Sequence, residues 1–314
     1  SCASTDSSSP RMRASLPPCT PEPAAVILRH LAAGRHDVPL VITQPDKPRG
    51  RRGTPSPTPV ARAAADLGIE ALPVASINAD DVLERLRDAR VGALVVVAFG
   101  QILRDPLLDG WPCINVHFSV LPAYRGAAPV ERALMDGVTR TGVTIMQMDP
   151  GLDTGPTARV VTTPVDSADD AGAVMDRLCA LAGPALEDTL DDVAAGTFAL
   201  TPQPEDGISH AAKILADDRL LDASAPAAAV VDRIRALSPH IGATCRIGGE
   251  PFKVWAARRV DADAPPGLSA VDGTLVAGLA DGAVEILELQ PPGKARMRAA
   301  DFLRGWRGGL ELDG

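Results

Sequence analysis

The order in which strand-type and helix-type segments follow one another limits this chain more than any other feature. Residues 93–98 form an uninterrupted apolar run rich in valine, the pattern of a strand buried on both faces, and a further strand, an apolar segment with a polar row inside it, follows at Cys113–His117. Before them, PAAVILRHLAAG reads as a helix ending at Gly34, and VPLVITQ from Val38 as a β-branched strand. PVARAAADLG from Pro59 reads as a helix with Pro at its start and Gly at its end; a short strand near Leu72 and a helix over 80–89 come next. Strand, crossover helix, strand is the order of an α/β, doubly wound domain with a parallel sheet. A helix over 129–136, strands over 142–148 and Thr157–Pro164, and a helix over 168–192 close the unit.

Beyond it, residues 194–209 are punctuated by Pro and Gly and read as a linker. A helix over 225–237 is then followed by short strand-like runs separated by GG, DG and PG turns, which predicts a smaller β-rich barrel over 210–314. Residues 1–11 are small, polar and Ser-rich and are expected to form a disordered tail, leaving 12–193 as the larger domain. The opening RASLPPCTPEP holds four prolines where a first buried strand belongs, so any strand there is expected to be short.

Composition narrows the class. The 314 residues suffice for a larger and a smaller domain, and aromatics at 3% leave Ala, Val, Leu and Ile to fill the core. No apolar run approaches the roughly twenty residues a bilayer needs, so no membrane span is expected. Five cysteines without a close pair argue against a disulfide framework or zinc knuckle and fit a reducing, cytoplasmic setting. The net charge of -9 excludes a uniformly basic nucleic-acid coat, yet the loop PDKPRGRRGTPSPT gathers Lys47, Arg49, Arg51 and Arg52 among Gly and Pro that disfavour regular structure. On composition alone such a loop is a solvated one.

The chemistry-bearing stretch is CINVHFSVLPAYRGAAPVERAL followed by TGVTIMQMDPGLDTGP. Residues two apart on a strand share a face, so Asn115, His117 and, if the strand persists, Ser119 project together at its C-terminal end, where open α/β sheets bind ligands. A hydrogen-bonded core histidine beside a loop asparagine is the plainer alternative. An amide and an imidazole, however, together donate to an oxygen on which negative charge develops, and Asp153 is placed to orient the ring or manage its proton. No Ser or Cys shows triad spacing, which favours direct attack by a substrate group. No GxGxxG follows the first strand, so a nicotinamide site is a poor reading. Of five histidines only His117 lies in a credible site, and no metal cluster is expected.

Taken in order, TQPDKPRGR, VVVAFG, INVHFSVLPAYRGAAPVERAL, TGVTIMQMDPGLDTG and PFKVW resemble the methionyl-tRNA formyltransferase family of the folate-dependent formyltransferase superfamily, over about residues 12–310. The resemblance implies a doubly wound N-terminal formyltransferase domain that uses 10-formyltetrahydrofolate as formyl donor, joined to a C-terminal OB-like barrel that helps hold methionyl-initiator tRNA. It implies that Asn115, His117 and Asp153 are catalytic: the methionyl α-amine attacks the formyl carbon, Asn115 and His117 stabilise the oxyanion, and Asp153 orients the imidazole and helps remove the amine proton. By the same likeness Phe99, Gly100, Ser119, Leu121 and Pro122 bind the folate, and Tyr124, Arg125 and Gly126 belong to a loop closing over the substrate side. Arg49, Arg51 and Arg52 reach the acceptor end of the tRNA, with Arg51 the best match for the key arginine, and Lys213 contacts nucleic acid. Lys253 and Arg246 are further candidates for that contact.

Three positions depart from the family pattern. Prolines and Cys19 replace apolar strand residues and a close-approach glycine in the first strand and loop, Phe118 stands where a small residue is usual, and Ala223 follows Asp222 where the family has Trp. A related formyltransferase acting on a nucleotide-sugar or small amine, or a non-catalytic folate- or RNA-binding remnant, remains the alternative. No oligomerising repeat appears, and a monomer is expected.

Overall fold

The computed structural model describes residues 12–15, 22–48, 55–98, 100–261, 264–310 and 312–313. In chain order the first half contains β1 (Ala14–Ser15), α1 (Glu22–Ala33), β2 (Leu40–Thr43), β3 (Lys47–Pro48), β4 (Pro55–Ser56), α2 (Pro59–Asp66), β5 (Glu70–Pro73), α3 (Asp80–Asp88), β6 (Ala93–Val97), α4 (Asp105–Leu108) and β7 (Cys113–His117). Next come β8 (Arg125–Gly126), α5 (Pro129–Met135), β9 (Arg140–Gln147), β10 (Thr157–Pro164), α6 (Ala171–Ala195) and β11 (His210–Ala211). The rest is α7 (Ala227–Ala236), β12 (Ala243–Ile247), β13 (Glu250–Val260), β14 (Gly267–Val271), β15 (Thr274–Leu279), β16 (Gly282–Gln290), β17 (Met297–Arg298), α8 (Ala299–Gly305) and β18 (Leu312–Asp313). The chain divides into two units: Ser1–Gly126, Gly142–Thr163 and Asp176–His210 form one, and Ala127–Thr141, Pro164–Met175 and Ala211–Gly314 the other.

In the first unit a five-stranded sheet has the order β1-β6-β7-β9-β10. β6 lies parallel to both β1 and β7, and β9 returns antiparallel to β7, pairing Asn115 with Met146 and His117 with Thr144. All five residues of β6 are buried, as its unbroken apolar run requires of a strand covered on both faces, and all five of β7 are buried although Asn115 and His117 are polar. β2 and β5 form a separate parallel pair. Paired bonds of 2.9 Å from Ala14 N–H to the Asp37 carbonyl and from Asp37 N–H to the Met12 carbonyl tie the approach to β2 onto β1. The core gathers Leu40, Ile42, Leu86, Leu94, Val96 and Leu107 around these strands.

Local signals set the helices. Thr58 caps α2, its hydroxyl accepting from Ala61 N–H at 3.2 Å, with Pro59 in the first turn where no donor is missed. α3 buries Val82, Leu83 and Leu86 on one stripe and carries Asp80 and Asp81 at its start with Arg85 and Arg87 at its end, each suited to the helix dipole. β1 is described over Ala14–Ser15; Cys19 and the neighbouring prolines lie outside the described residues. The basic loop departs from the irregular form its Gly and Pro content predicts, because Lys47–Pro48 and Pro55–Ser56 pair as a short antiparallel ladder. Pro48 faces Pro55, so two residues without an N–H share one position and leave the bonding to Lys47 and Ser56.

The second unit is a curled antiparallel sheet of the OB-like kind, ordered β14-β15-β16-β13-β12-β18 with β17 on β16. β13 carries register breaks between Val254 and Ala257, the irregularity that lets an eleven-residue strand bend. Inside the curl, Phe252 packs edge-on to Phe302 and Trp306 at ring distances of 5.5 and 5.7 Å, and α7 adds Val230 and Ile234. Among the described residues, no helix is long and apolar enough to cross a membrane.

Candidate active site

β7 ends at the point where its buried face turns polar. Cys113, Asn115 and His117 share that face by the two-residue period of a strand, with Asn115 and His117 only 8% and 5% exposed. Buried polar groups need partners, and here Asp153 faces both Asn115 and His117. Asn115 Nδ2 donates to Asp153 Oδ1 at 3.3 Å, and His117 Nδ1 lies 3.6 Å from Asp153 Oδ2. The same Oδ2 accepts the Gly126 N–H at 2.8 Å. One carboxylate therefore gathers an amide, an imidazole and a backbone donor.

The imidazole's far side fixes its proton. His117 Nε2 is 2.9 Å from the Tyr124 carbonyl, which can only accept, so Nε2 carries hydrogen and the neutral ring turns its Nδ1 lone pair toward Asp153. Burial lowers the His117 pKa from its ordinary 6.5, while the charge of Asp153 and the Tyr124 carbonyl pull it upward. The resting ring is neutral at pH 7. A proton arriving at Nδ1 lands between imidazole and carboxylate. Asn115 has a second N–H that no described residue takes.

Loops hold the carboxylate in place. Asp153 sits at φ +53° and Tyr124 at +60°, left-handed conformations uncommon for residues with a side chain. Asp149 closes the Asp153 loop by accepting from Thr154 Oγ1 at 2.7 Å and Gly151 N–H at 3.0 Å. A Cβ on Gly155 would come within 2.0 Å of the Gln147 carbonyl, so the loop can return to the sheet only with glycine there. Gly126, at φ +122°, turns its N–H onto Asp153 in a conformation other residues rarely adopt.

The remaining expected residues fall in different places. Ser119 does not extend the polar row: the strand stops at His117, and the Ser119 hydroxyl donates to the Ala123 carbonyl at 2.6 Å while its own carbonyl accepts from Thr144 Oγ1. Leu121 and Pro122 are buried in the same turn, joined by a cis peptide bond. Phe118 is buried. Gly100 is exposed, and Lys213 is an exposed residue of the second unit. Lys253 donates to the Ile241 carbonyl at 2.8 Å and lies over the Trp255 ring, while Arg246 donates to the Gly249 carbonyl. Phe99, Arg49, Arg51 and Arg52 lie outside the described residues.

Residues 201–209, expected as a linker, do more than connect. Thr201 exchanges backbone bonds of 2.8 Å with Thr157, Ser209 Oγ accepts the Tyr124 N–H at 2.9 Å, and Gln203 bonds both to the Asp153 loop and to Arg125. Gln203 lies 50 positions from Asp153 in a Pro- and Gly-punctuated stretch, and no local pattern marks it. The Tyr124 carbonyl was equally hidden, since a backbone acceptor has no sequence signature.

The arrangement lacks a nucleophile of its own. Cys113 shares the face, but burial pushes its thiol up to about 12 and its Sγ donates to the Leu107 carbonyl, so no thiolate forms near neutrality. Among the described residues no cluster of His, Cys, Asp and Glu is suited to hold a metal ion. An amide donor and an acid–base pair without a resident nucleophile, at the carboxyl end of a doubly wound sheet, form a site suited to acyl transfer onto an incoming group.

Comparison with known proteins agrees. The family described as Formyl transferase matches residues 20–190, and the family described as Formyl transferase, C-terminal domain, matches residues 213–307. The chain belongs to the formyl transferase family. It is 42% identical to the methionyl-tRNA formyltransferase of Bordetella petrii over 304 residues, 92% of this chain and 95% of that protein. It is also 42% identical to that of Mycobacterium tuberculosis over 299 residues, again 92% of this chain and 95% of that protein. Among solved structures, HypX from Aquifex aeolicus in complex with tetrahydrofolic acid superposes with a TM-score of 0.67 at 16% identity, over 97% of this chain and 51% of that one. The N-formyltransferase from Helicobacter canadensis, in complex with folinic acid and dTDP-3-aminofucose, gives 0.63 at 14% identity, over 88% and 98%. At such identities the two structures establish the fold alone.

Proposed function

We propose that this protein transfers the formyl group of 10-formyltetrahydrofolate to the α-amine of methionyl-initiator tRNA. The observation that carries the chemistry is the convergence of Asn115, His117 and Gly126 N–H on Asp153, with one Asn115 N–H that no described residue takes. That N–H donates to the formyl oxygen as negative charge develops there, in a buried setting where such a bond is stronger than in water. His117 takes the attacking amine's proton at Nδ1, where Asp153 holds it, and the resulting imidazolium adds positive charge beside the oxyanion. As the oxyanion collapses, the bond from the formyl carbon to N10 breaks, and the imidazolium returns the proton to N10 so that tetrahydrofolate leaves. Deprotonation and charge stabilisation thus belong to one bonded cluster. The near full-length likeness to methionyl-tRNA formyltransferases at 42% identity supports charged tRNA as acceptor, and the arginines at 49, 51 and 52 supply the charge that phosphates require.

Purified protein should formylate methionyl-initiator tRNA from 10-formyltetrahydrofolate, with an apparent affinity for the tRNA that falls as salt rises. Formylation of an amino-sugar nucleotide with no transfer to charged tRNA would replace this reading with its nearest relative.

A further inference from the structure

Asp153 is gripped from two sides, and only one side is the chemistry. Its carboxylate faces Asn115, His117 and Gly126. Its backbone carbonyl accepts from Gln203 Nε2 at 2.8 Å, and the same nitrogen donates to the Gly155 carbonyl at 2.8 Å, so the two carbonyls flanking Thr154 share one amide group. The other end of that amide accepts from Arg125 Nε at 3.1 Å and Nη2 at 2.6 Å. Arg125 lies between Tyr124, whose carbonyl receives the His117 Nε2 proton, and Gly126, whose N–H reaches Asp153. One neutral side chain therefore joins the loop that carries the carboxylate to the loop that orients the imidazole. All of these residues belong to the first unit.

We propose that Gln203 is a positioning residue for the formyl transfer: it sets the Asp153 carboxylate against His117 Nδ1 by clamping the Asp153 backbone to the Arg125 loop. The inference rests on Asn115, His117 and Asp153 being the active site. The clamp is needed because Asp153 is held at φ +53°, a conformation that persists where surrounding bonds over-determine it. An amide alone suits the place. It presents donors to two carbonyls and an acceptor to a guanidinium, whereas a carboxylate has no donor and an aliphatic chain has neither. A neutral group also leaves the charge at the site to Asp153 and His117.

The test uses the full chain with Gln203→Glu, which keeps length and the Arg125 acceptor but loses the donors, and Gln203→Met, which keeps length alone. Both should lower kcat for formyl transfer by about 10- to 100-fold, the scale of a displacement near 1 Å, with the KM for 10-formyltetrahydrofolate changed less than about threefold. In Gln203→Met, the His117 imidazole, followed by NMR in ring-labelled protein, should titrate at a lower pH than in the wild type, because Asp153 no longer holds a charge against it. Wild-type kcat in both variants overturns the proposal. So does lost kcat with an unshifted His117 titration, the result of a merely structural contact. If Gln203→Met does not fold, the Gln203→Glu kinetics and its His117 titration decide: wild-type kcat, or a ring unchanged in its titration, overturns the proposal. Asp153→Asn separates the two claims. Inactive Asp153→Asn beside unaffected Gln203 variants sinks the clamp alone, whereas fully active Asp153→Asn removes the site reading and the clamp with it.

Discussion

The face of β7 and the inside of the curled sheet are both buried, yet they are buried in different ways. Around Phe252 the interior is apolar: Phe302, Leu275 and Leu289 are buried in it, the partly buried Trp306 packs against it, and Ser238, a buried hydroxyl of that unit, donates to the Trp255 carbonyl. Along β7 the buried face carries an amide and an imidazole whose partners are a shared carboxylate and loop backbone, with one amide N–H that no described residue takes. A buried donor without a partner costs about 1–3 kcal/mol. It persists only where the scaffold holds it, so stability and chemistry are concentrated in different parts of this chain.

The contrast can be broken from the apolar side first. Phe252→Ala should destabilise the protein by about 3–5 kcal/mol, the cost of a large buried ring and the cavity left behind, seen as a lower denaturation midpoint. A change within about 0.5 kcal/mol would mean that the ring cluster does not hold this unit together.

A smaller effect sharpens the comparison from the polar side. Because burial holds the folded His117 pKa below its ordinary 6.5, the unfolded chain binds the proton more readily in the window between the two values. The stability associated with the neutral ring is therefore complete above about 6.5. It falls as pH drops through that window, at no more than about 1.4 kcal/mol per pH unit for one proton. His117→Asn should flatten this part of the stability profile; an unchanged profile would show that the buried ring is not penalised on charging.

The same contrast separates what was legible in the sequence from what was not. The same-face placement of Asn115 and His117 follows from the two-residue period of a strand, and the strand expected over Thr157–Pro164 has the same limits in the structure. Periodicity reports which residues share a face. It does not report who bonds across 27 or 50 residues, which is why Gly126 N–H and Gln203 at Asp153 were invisible. Ser119 shows the limit from the other direction. The two-residue period extends the row only while the strand lasts, and the turn after His117 redirects that hydroxyl to a backbone carbonyl. The prolines expected to shorten the first strand lie outside the described residues, whereas the Gly and Pro content of the basic loop concealed the β3–β4 ladder, where prolines facing each other remove no needed donor.

The central claim is that the polar cluster of β7 performs the transfer while contributing little to holding the fold. Asn115→Ala, compared with the wild type in kcat for formyl transfer to methionyl-initiator tRNA and in thermal midpoint, tests it directly. Loss of an oxyanion donor predicts a kcat lower by about 10²–10³ with a midpoint changed by no more than a few degrees. A kcat within about threefold of the wild type, in protein folded as before, would contradict the account.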